Sequence, residues 1–199
     1  MANGPDTGAL GAGTAPSYSY ALSPDGEAIS QQGNTTAGLL PQPGRTGEVV
    51  AVVPTAMLSW QRAPLPQGVG PGSPRLRAVL EGVLEEHLLD DPAQLHFALQ
   101  PDATHIAAGE PVWIACCPRV WLREHLQNLE AAGRAVARVV PSHAPGEPSP
   151  DDAQLLITGS PEWPQAVVYG TGPDDAVLVL PLSRDTLPLL PPRSSTSRT

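Results

Sequence analysis

Hydrophobic residues recur at helical spacing in two segments of the chain. In the first segment, Ser73 is a favourable N-cap and Pro74 suits the first helical position, so a helix is predicted to begin there. Its apolar residues form one stripe: Leu76, Val79, Leu80, Val83, Leu84 and Leu88. The second helix is predicted from Pro118 to Gly133, where the glycine supplies a left-handed cap. Both helices therefore present one apolar side to a core.

Short runs of β-branched and alternating residues predict strands between and around these helices. The predicted strands are Tyr18–Leu22, Glu27–Ser30, Glu48–Val53, Met57–Arg62, Leu95–Leu99, Val112–Cys117, Arg134–Val140 and three shorter ones near Leu155–Thr158, Ala166–Tyr169 and Ala176–Leu180. The turn Ser23–Gly26 joins the first two as a hairpin, and the run Val50–Val53 predicts a strand covered on both faces. This order predicts an α/β or mixed α+β fold, with a mixed sheet and flanking helices.

Composition divides the chain into five segments. Residues 1–16 are predicted to be a disordered leader and 191–199 a disordered tail, because both contain little to bury. Residues 17–141 are predicted as an α/β subdomain and 142–152 as a proline-rich connector. Residues 153–190 are predicted as a further β-rich portion of the same or a second subdomain.

The charge balance excludes several functions. The formal net charge is −9, which repels phosphate backbones, so we expect no nucleic-acid partner. All 11 basic residues are arginine, which excludes a Walker A loop, a protein kinase and Schiff-base chemistry, each of which needs a lysine.

Cys116 and Cys117 are adjacent and cannot form an ordinary disulfide, so buried, reduced thiols in a cytosolic protein are predicted. No stretch has the length of a membrane helix, and the first residues do not form a secretory signal.

No residue pattern rises to a catalytic, metal or cofactor site. His87 and His96 lie near Asp90 and Asp91, but their spacing matches no zinc motif. The tripeptide Asp6–Gly8 follows no apolar strand, as a protease or phosphate-binding hairpin would require. We therefore predict a protein that is not an enzyme and that holds neither metal nor cofactor.

One block of sequence is recognisable. Leu84–Asp91, followed closely by Leu95–Leu99, resembles a motif of the type II secretion system protein L family. The flanking segments agree with it: Val49–Pro54, Ala63–Pro66, Pro111–Cys117, Trp121–Leu122 and Ala131–Pro141. The resemblance extends over about residues 45–141 and is weaker from there to Leu190.

This resemblance implies a fold and a role. It implies an actin-like (ribonuclease-H-like) core on the cytoplasmic side of the bacterial inner membrane, incomplete relative to the family. We expect a truncated chain without the second half of that domain, the membrane span or the periplasmic part: a fragment, a short paralogue or a divergent member. The implied role is a non-enzymatic scaffold of the secretion platform. Its implied partners are the N-terminal region of the secretion ATPase, other platform proteins and a second copy in a possible homodimer.

The polar side of the first helix is the predicted partner-binding surface, comprising Arg75, Arg77, Glu81 and Glu85. The alternative function is an actin-like nucleotide-binding protein that uses the Asp25–Gly26 hairpin and the Gly68–Gly72 loop. Pro24 and Pro71 each remove an amide donor from these turns, which weakens that alternative. A scaffold unrelated to secretion is a third possibility.

Overall fold

The computed structural model describes residues 15–104, 109–146, 154–160, 163–171 and 176–190. Most of the predicted leader, the whole predicted tail, the Asp6–Gly8 tripeptide and residues 147–152 of the predicted connector lie outside these ranges. The domain limits predicted from composition stay predictions.

Within the described residues the chain forms ten strands and two α-helices. In chain order these are β1 (Ser17–Leu22), β2 (Gln31–Thr36), β3 (Val49–Val53), β4 (Ser59–Pro64), α1 (Leu76–Leu84), β5 (Leu95–Leu99), β6 (Pro111–Pro118), α2 (Arg119–Ala131), β7 (Val136–Pro141), β8 (Gln154–Ser160), β9 (Trp163–Thr171) and β10 (Ala176–Pro181). The predicted mixed α/β class is confirmed, with far more strand than helix. The strands belong to four sheets: β1–β2, β3–β7, β4–β6–β5 and β8–β9–β10.

Two of the predicted elements are reproduced closely. The strand predicted at Leu95–Leu99 is β5, with the same limits. The second predicted helix is α2, and Gly133 beyond its end has a φ of +73°. Because that backbone region is strained for residues with a Cβ, the glycine is what allows the chain to leave the helix there.

The predicted returning strand Glu27–Ser30 is wrong. The Asp25 carboxylate accepts hydrogen bonds from the backbone N–H groups of Glu27 and Ala28, at 2.9 Å each. These amides are thus committed to the turn, and the ladder with β1 begins only at Gln31, opposite Leu22. The connection between the strands is therefore longer than the tight turn that the sequence suggested.

The predicted start of the first helix is also wrong, by two residues. Ser73 Oγ accepts from the backbone N–H of Arg75 at 3.3 Å, within a turn that precedes the helix, and α1 begins at Leu76. The helix ends at Leu84, and Leu88 lies in the turn beyond it. The apolar stripe is confirmed nevertheless, because Leu80 and Leu84 are buried and the other members except Val79 pack around the same core.

The described residues divide into two compact units, each assembled from separate parts of the chain. The first unit lies within Pro54–Pro118 and His143–Thr199, and the second within Asp6–Val53 and Arg119–Ser142. The first contains α1 and the two three-stranded sheets, and the second contains α2 and the two two-stranded sheets.

The core of the first unit lies between α1 and the sheet β4–β6–β5. The central strand β6 directs Val112, Ile114 and Cys116 toward the leucines of α1. On its other face Trp113 is buried and its indole Nε1–H donates to the carbonyl of Gly146 at 3.2 Å. A strand buried on both faces requires apolar residues at successive positions, which explains the continuous run in β6.

The second three-stranded sheet of this unit is antiparallel, with β9 in the centre. Ala166, Val167 and Val168 of β9 are almost completely buried. Strand β10 runs close to β4, so the two sheets of the unit are neighbours along this edge. The outer strand on the opposite side is β8.

In the second unit, Tyr18 of the hairpin is hydrogen-bonded to two side chains of α2. The Tyr18 hydroxyl of β1 lies 3.0 Å from His125 Nδ1, and Asn128 Nδ2 of α2 donates to the same hydroxyl at 2.9 Å. When His125 Nδ1 carries no proton, it accepts the tyrosine proton, and when Nδ1 is protonated it donates to the same hydroxyl oxygen. Burial lowers the pKa of His125, which favours a neutral ring.

The parallel pair β3–β7 corrects another expectation. Val53 is buried, but Val52 is 59% exposed, so β3 is not covered on both faces as its apolar run predicted. Within the described part of the chain β3 pairs only with β7. The uncovered valine shows that an apolar run alone does not determine how many layers pack on a strand.

Candidate partner-binding surface

The predicted surface on α1 contains an arginine that is tied to the rest of its unit. Arg77 Nη1 donates to the carbonyl of Leu95 at 3.2 Å, and Nη2 lies 3.3 Å from the carbonyl oxygens of Pro92 and Ala93. Its guanidinium carbon lies 5.8 Å from the centre of the Phe97 ring. Arg77 therefore fastens α1 to the start of β5 and to the turn before it.

Glu81 supports this arrangement from the next turn of the helix. Its Oε1 lies 2.8 Å from Arg77 Nε, in the i, i+4 geometry that suits a helical ion pair. Both side chains stay partly open to solvent, so the pair itself contributes little, about 0.3–0.5 kcal/mol. Its main effect is to orient the guanidinium toward the three carbonyl groups.

The remaining two predicted residues lie differently. Glu85 is exposed one turn beyond Glu81 on the same side of the helix, and Arg75 is exposed just before the helix begins. Arg77, Glu81 and Glu85 thus form one row at i, i+4 spacing on one side of α1, whereas Arg75 lies just before the helix and outside that spacing. Arg77 and Glu81 therefore attach α1 to the start of β5, whereas Arg75 and Glu85 are exposed to solvent.

An apolar residue beside this row was missed by the sequence reasoning. Leu89 follows the last turn after α1 and its side chain is fully exposed. The next element is a short 3-10 helix, Pro92–Gln94, and Asp91 is its N-cap, with Oδ1 accepting from the backbone N–H of Ala93 at 2.9 Å. The Asp-Pro pair at this position was a signal that the chain turns here, and hence that Leu89 does not continue the buried stripe.

The turn considered for phosphate binding already has its amides occupied. Besides the two amides held by Asp25, the backbone N–H of Gly26 donates to Ser23 Oγ at 2.8 Å. The bonds that Asp25 accepts, with that from the Ala28 amide first among them, lower its pKa and keep its carboxylate charged. A phosphate would have to displace an anion that the turn is built around, so this geometry disfavours nucleotide binding.

The glycine loop before α1 does not have the geometry of a phosphate cradle either. Gly68 has a φ of +80°, the backbone N–H of Val69 donates to Pro66 and that of Ser73 donates to Gly70. The helix begins at Leu76, so the glycines do not lead directly into its N-terminus. The hairpin and this loop belong to different units.

The two thiols lie in the centre of the sheet. Burial raises the pKa of Cys116 to about 12 and that of Cys117 to about 11. Protonated thiols are poor nucleophiles and poor metal ligands. Among the described residues, no group of three or more His, Cys, Asp or Glu is placed to hold a metal ion.

Comparison with known proteins shows a similarity of fold. No family model matches the chain, and no curated protein does. The fold is similar to that of the cytoplasmic domain of EpsL, an inner-membrane component of the type II secretion system of Vibrio cholerae. The two superpose with a TM-score of 0.56 at 19% identity, covering 84% of this chain and 65% of the EpsL domain. The sequence resemblance to protein L is thus matched by a similarity in structure.

A weaker similarity is to a chain of the PilM–PilN type IV pilus biogenesis complex, with 18% identity and coverage of 78% of this chain and 55% of the other. Its TM-score of 0.40 is too low to support a conclusion about this protein. The chain spans somewhat less than two thirds of the EpsL domain it resembles. None of the helices in the described ranges is long and apolar enough to cross a membrane.

Proposed function

We propose that this protein is a non-enzymatic scaffold of a type II secretion platform, acting on the cytoplasmic side of the inner membrane. The observation that supports this is the similarity of its fold to the cytoplasmic domain of EpsL, over 84% of the chain. Its core is then an actin-like (ribonuclease-H-like) core, incomplete relative to the family. The amides occupied by Asp25 agree with a role that does not involve nucleotide.

The proposed partners are the N-terminal region of the secretion ATPase and other proteins of the inner-membrane platform. The proposed contact comprises Arg75 and the row Arg77, Glu81 and Glu85 on α1. Because Arg77 fixes the helix to β5, the exposed side chains of Arg75 and Glu85 are held at the two ends of a rigid element. A rigid surface loses little conformational entropy when a partner binds.

The first test is direct complex formation. The chain is mixed with the N-terminal region of the type II secretion ATPase of the same organism, and the mixture is analysed by size-exclusion chromatography with light scattering. Coelution at the mass of a complex is expected. Separate elution at concentrations of about 100 µM would remove the ATPase-docking role, because a functional contact should form well below that level.

The second test asks whether α1 is the contact. The variant Arg75→Glu with Glu85→Arg changes only these two exposed side chains, leaves the Arg77–Glu81 pair in place and conserves net charge. We expect its affinity for the ATPase region to fall about tenfold, as measured by calorimetry. The matched control is Arg123→Glu with Glu130→Arg, two exposed residues on α2, which should bind as the wild type does. Equal affinities for both variants would exclude α1 while leaving the scaffold role in place.

A further inference from the structure

The hairpin β1–β2 buries little of its own surface. Every residue of β1 and β2 is at least partly exposed, and β2 is open to solvent over its first four residues. In the described part of the chain, the two strands pair only with each other. A two-stranded hairpin is at best marginally stable by itself in water. Its stability therefore depends on what attaches it to the rest of the second unit.

The base of the hairpin is fixed to the end of α2 by a buried arginine. Arg134 is 5% exposed, and its Nε donates to the carbonyl of Leu40 at 3.1 Å, while its Nη1 donates to that of Ala132 at 3.0 Å. Its Nη2 also donates to the Leu40 carbonyl. Ala37, directly after β2, is buried. The chain is therefore anchored just beyond the last residue of β2.

The opposite end of the hairpin is closed on itself. Ser23 and Asp25 accept hydrogen bonds from backbone amides of the turn in which they lie. The backbone N–H of Ser30 donates to the carbonyl of Leu22. Ile29 in the same turn is 62% exposed. These bonds all stay within the hairpin, so they do not attach the turn to α2.

The attachment between these two ends is made by Tyr18. Among the residues that the structure describes, it is the residue of β1 and β2 whose side chain hydrogen-bonds to α2, through His125 and Asn128. Its ring meets the His125 ring edge-on, with centroids 5.6 Å apart, and the His125 ring lies 4.6 Å from that of Trp121. Tyr20, on the same face of β1, instead accepts from a glutamine of β2.

We infer that the hairpin is a strap that closes over Trp121 and His125 of α2 and opens as a unit, with the Tyr18 hydroxyl as its latch. The end held by Arg134 stays in place, because a buried guanidinium without its carbonyl partners would be an unpaired charge. The latch opens more easily, because water replaces its partly exposed hydrogen bonds. Opening uncovers the two aromatic rings for a partner. The α1 surface belongs to the other unit, so this movement is separate from the proposed ATPase contact.

Hydrogen exchange of the whole chain, followed by mass spectrometry, tests whether the strap opens separately. Amides of β1 and β2 should exchange at least about 100-fold faster than those in the middle of α2, because local opening exposes them without unfolding the unit. Tyr18→Phe keeps the ring and removes the latch, so exchange in the hairpin should rise about tenfold and exchange in α2 should not change. The matched control Tyr20→Phe removes a hydroxyl that bonds within the hairpin, and should change exchange by less than about twofold.

Modification of histidine distinguishes lifting of the strap from fraying of its strands. Diethyl pyrocarbonate acylates an accessible, unprotonated imidazole nitrogen, and mass spectrometry locates the modified residue. The variant for this test is Asn128→Ala, which weakens the latch but leaves the bond between Tyr18 and His125 in the closed strap. His125 should react at least about threefold faster than in the wild type, whereas the exposed His87 should react at the same rate in both proteins. Gln127→Ala, an exposed neighbour on α2, is the control and should behave as the wild type.

Three results would each overturn the inference. The first is a wild-type hairpin whose amides exchange as slowly as those of α2. The second is a Tyr18→Phe variant whose hairpin exchanges at the wild-type rate. The third is an Asn128→Ala variant in which His125 reacts no faster than in the wild type, which would mean that the strands fray in place. Since the ATPase is absent from all these measurements, their failure is distinct from failure of the proposed scaffold role.

Discussion

The two three-stranded sheets of the first unit differ in how their apolar residues are covered. In β4–β6–β5, the leucines of α1 cover one face, and Arg77 ties that helix to β5. In β8–β9–β10, the central strand is buried but the outer strands keep large apolar residues about half exposed. A helix of the same chain covers the first sheet, whereas the outer strands of the second carry uncharged apolar side chains that are about half exposed in the described part of the chain.

The largest expected effect comes from replacing two leucines by alanine, one beneath α1 and one on the second sheet. Leu84→Ala removes a buried side chain beneath α1, so the free energy of unfolding should fall by about 2–5 kcal/mol. Leu178→Ala removes a half-exposed one, and a loss below about 1 kcal/mol is expected in the monomer. Urea unfolding of both variants at low protein concentration measures the difference. Equal losses would show that the second sheet is covered as fully as the first.

Arg77 tests whether the helix over the first sheet is held by specific bonds. Arg77→Ala leaves the carbonyl groups of Pro92, Ala93 and Leu95 without their donor, so we expect a loss of about 1–2 kcal/mol. Arg75→Ala is the control, since this exposed residue should change stability by less than about 0.5 kcal/mol. Lysine at position 77 should restore only part of the loss, because one ammonium group cannot reach several carbonyls in a fork geometry. Indistinguishable alanine variants would show that apolar packing alone holds α1.

A smaller effect concerns the second sheet and pH. His143 packs on Tyr169 of β9 with ring centroids 5.3 Å apart, and its Nε2 has no hydrogen-bond partner among the described residues. Burial lowers the pKa of His143 from its ordinary value of 6.5. As the pH falls, His143 is therefore protonated in the unfolded chain before it is protonated in the folded one. The free energy of unfolding consequently decreases as the pH drops below about 6.5.

The corresponding variant is His143→Phe, which keeps a ring on Tyr169 and removes the titration. Between about pH 7.5 and 5.5, its free energy of unfolding should fall less than that of the wild type. The free energy of unfolding of the variant should still depend on pH, because burial also lowers the pKa of His125 in the second unit. Denaturant unfolding of both proteins at the two pH values provides the measurement. If wild type and variant lose the same free energy of unfolding between these pH values, His143 is not held neutral by burial.

Much of the fold could be predicted where one element carries its own pattern. The limits of β5 and the stripe on α1 follow from periodicity, which depends only on residues close in sequence. The location of β2 could not be predicted in this way, because the carboxylate of Asp25 decides which amides enter the ladder. The exposure of Val52 was hidden as well, since an apolar run does not show which faces receive a second layer.

The candidate surface shows the same division. The charged residues on the polar side of α1 were identified from the sequence. Arg77 and Glu85 look alike at that level, because both lie on the polar side, but in the structure Arg77 bonds to backbone carbonyls and Glu85 is exposed. Arg77 meets carbonyl groups that lie 15 to 18 residues away along the chain, and only the packing of α1 on β5 brings them within bonding distance. The position of β8 as an outer strand depends on which strands pair, which is likewise a property of the assembled sheet.

The sequence by itself therefore determined the classes of element, the residues of the main core, the lack of lysine chemistry and the resemblance to protein L. The tertiary structure alone decided which polar side chains serve the fold, which apolar ones stay open and where the sheets end. The physical reason is the distance along the chain over which each property is set. The periodicity of burial depends on residues that are close in sequence. Hydrogen bonds between distant segments, and the covering of one segment by another, exist only after those segments have packed together.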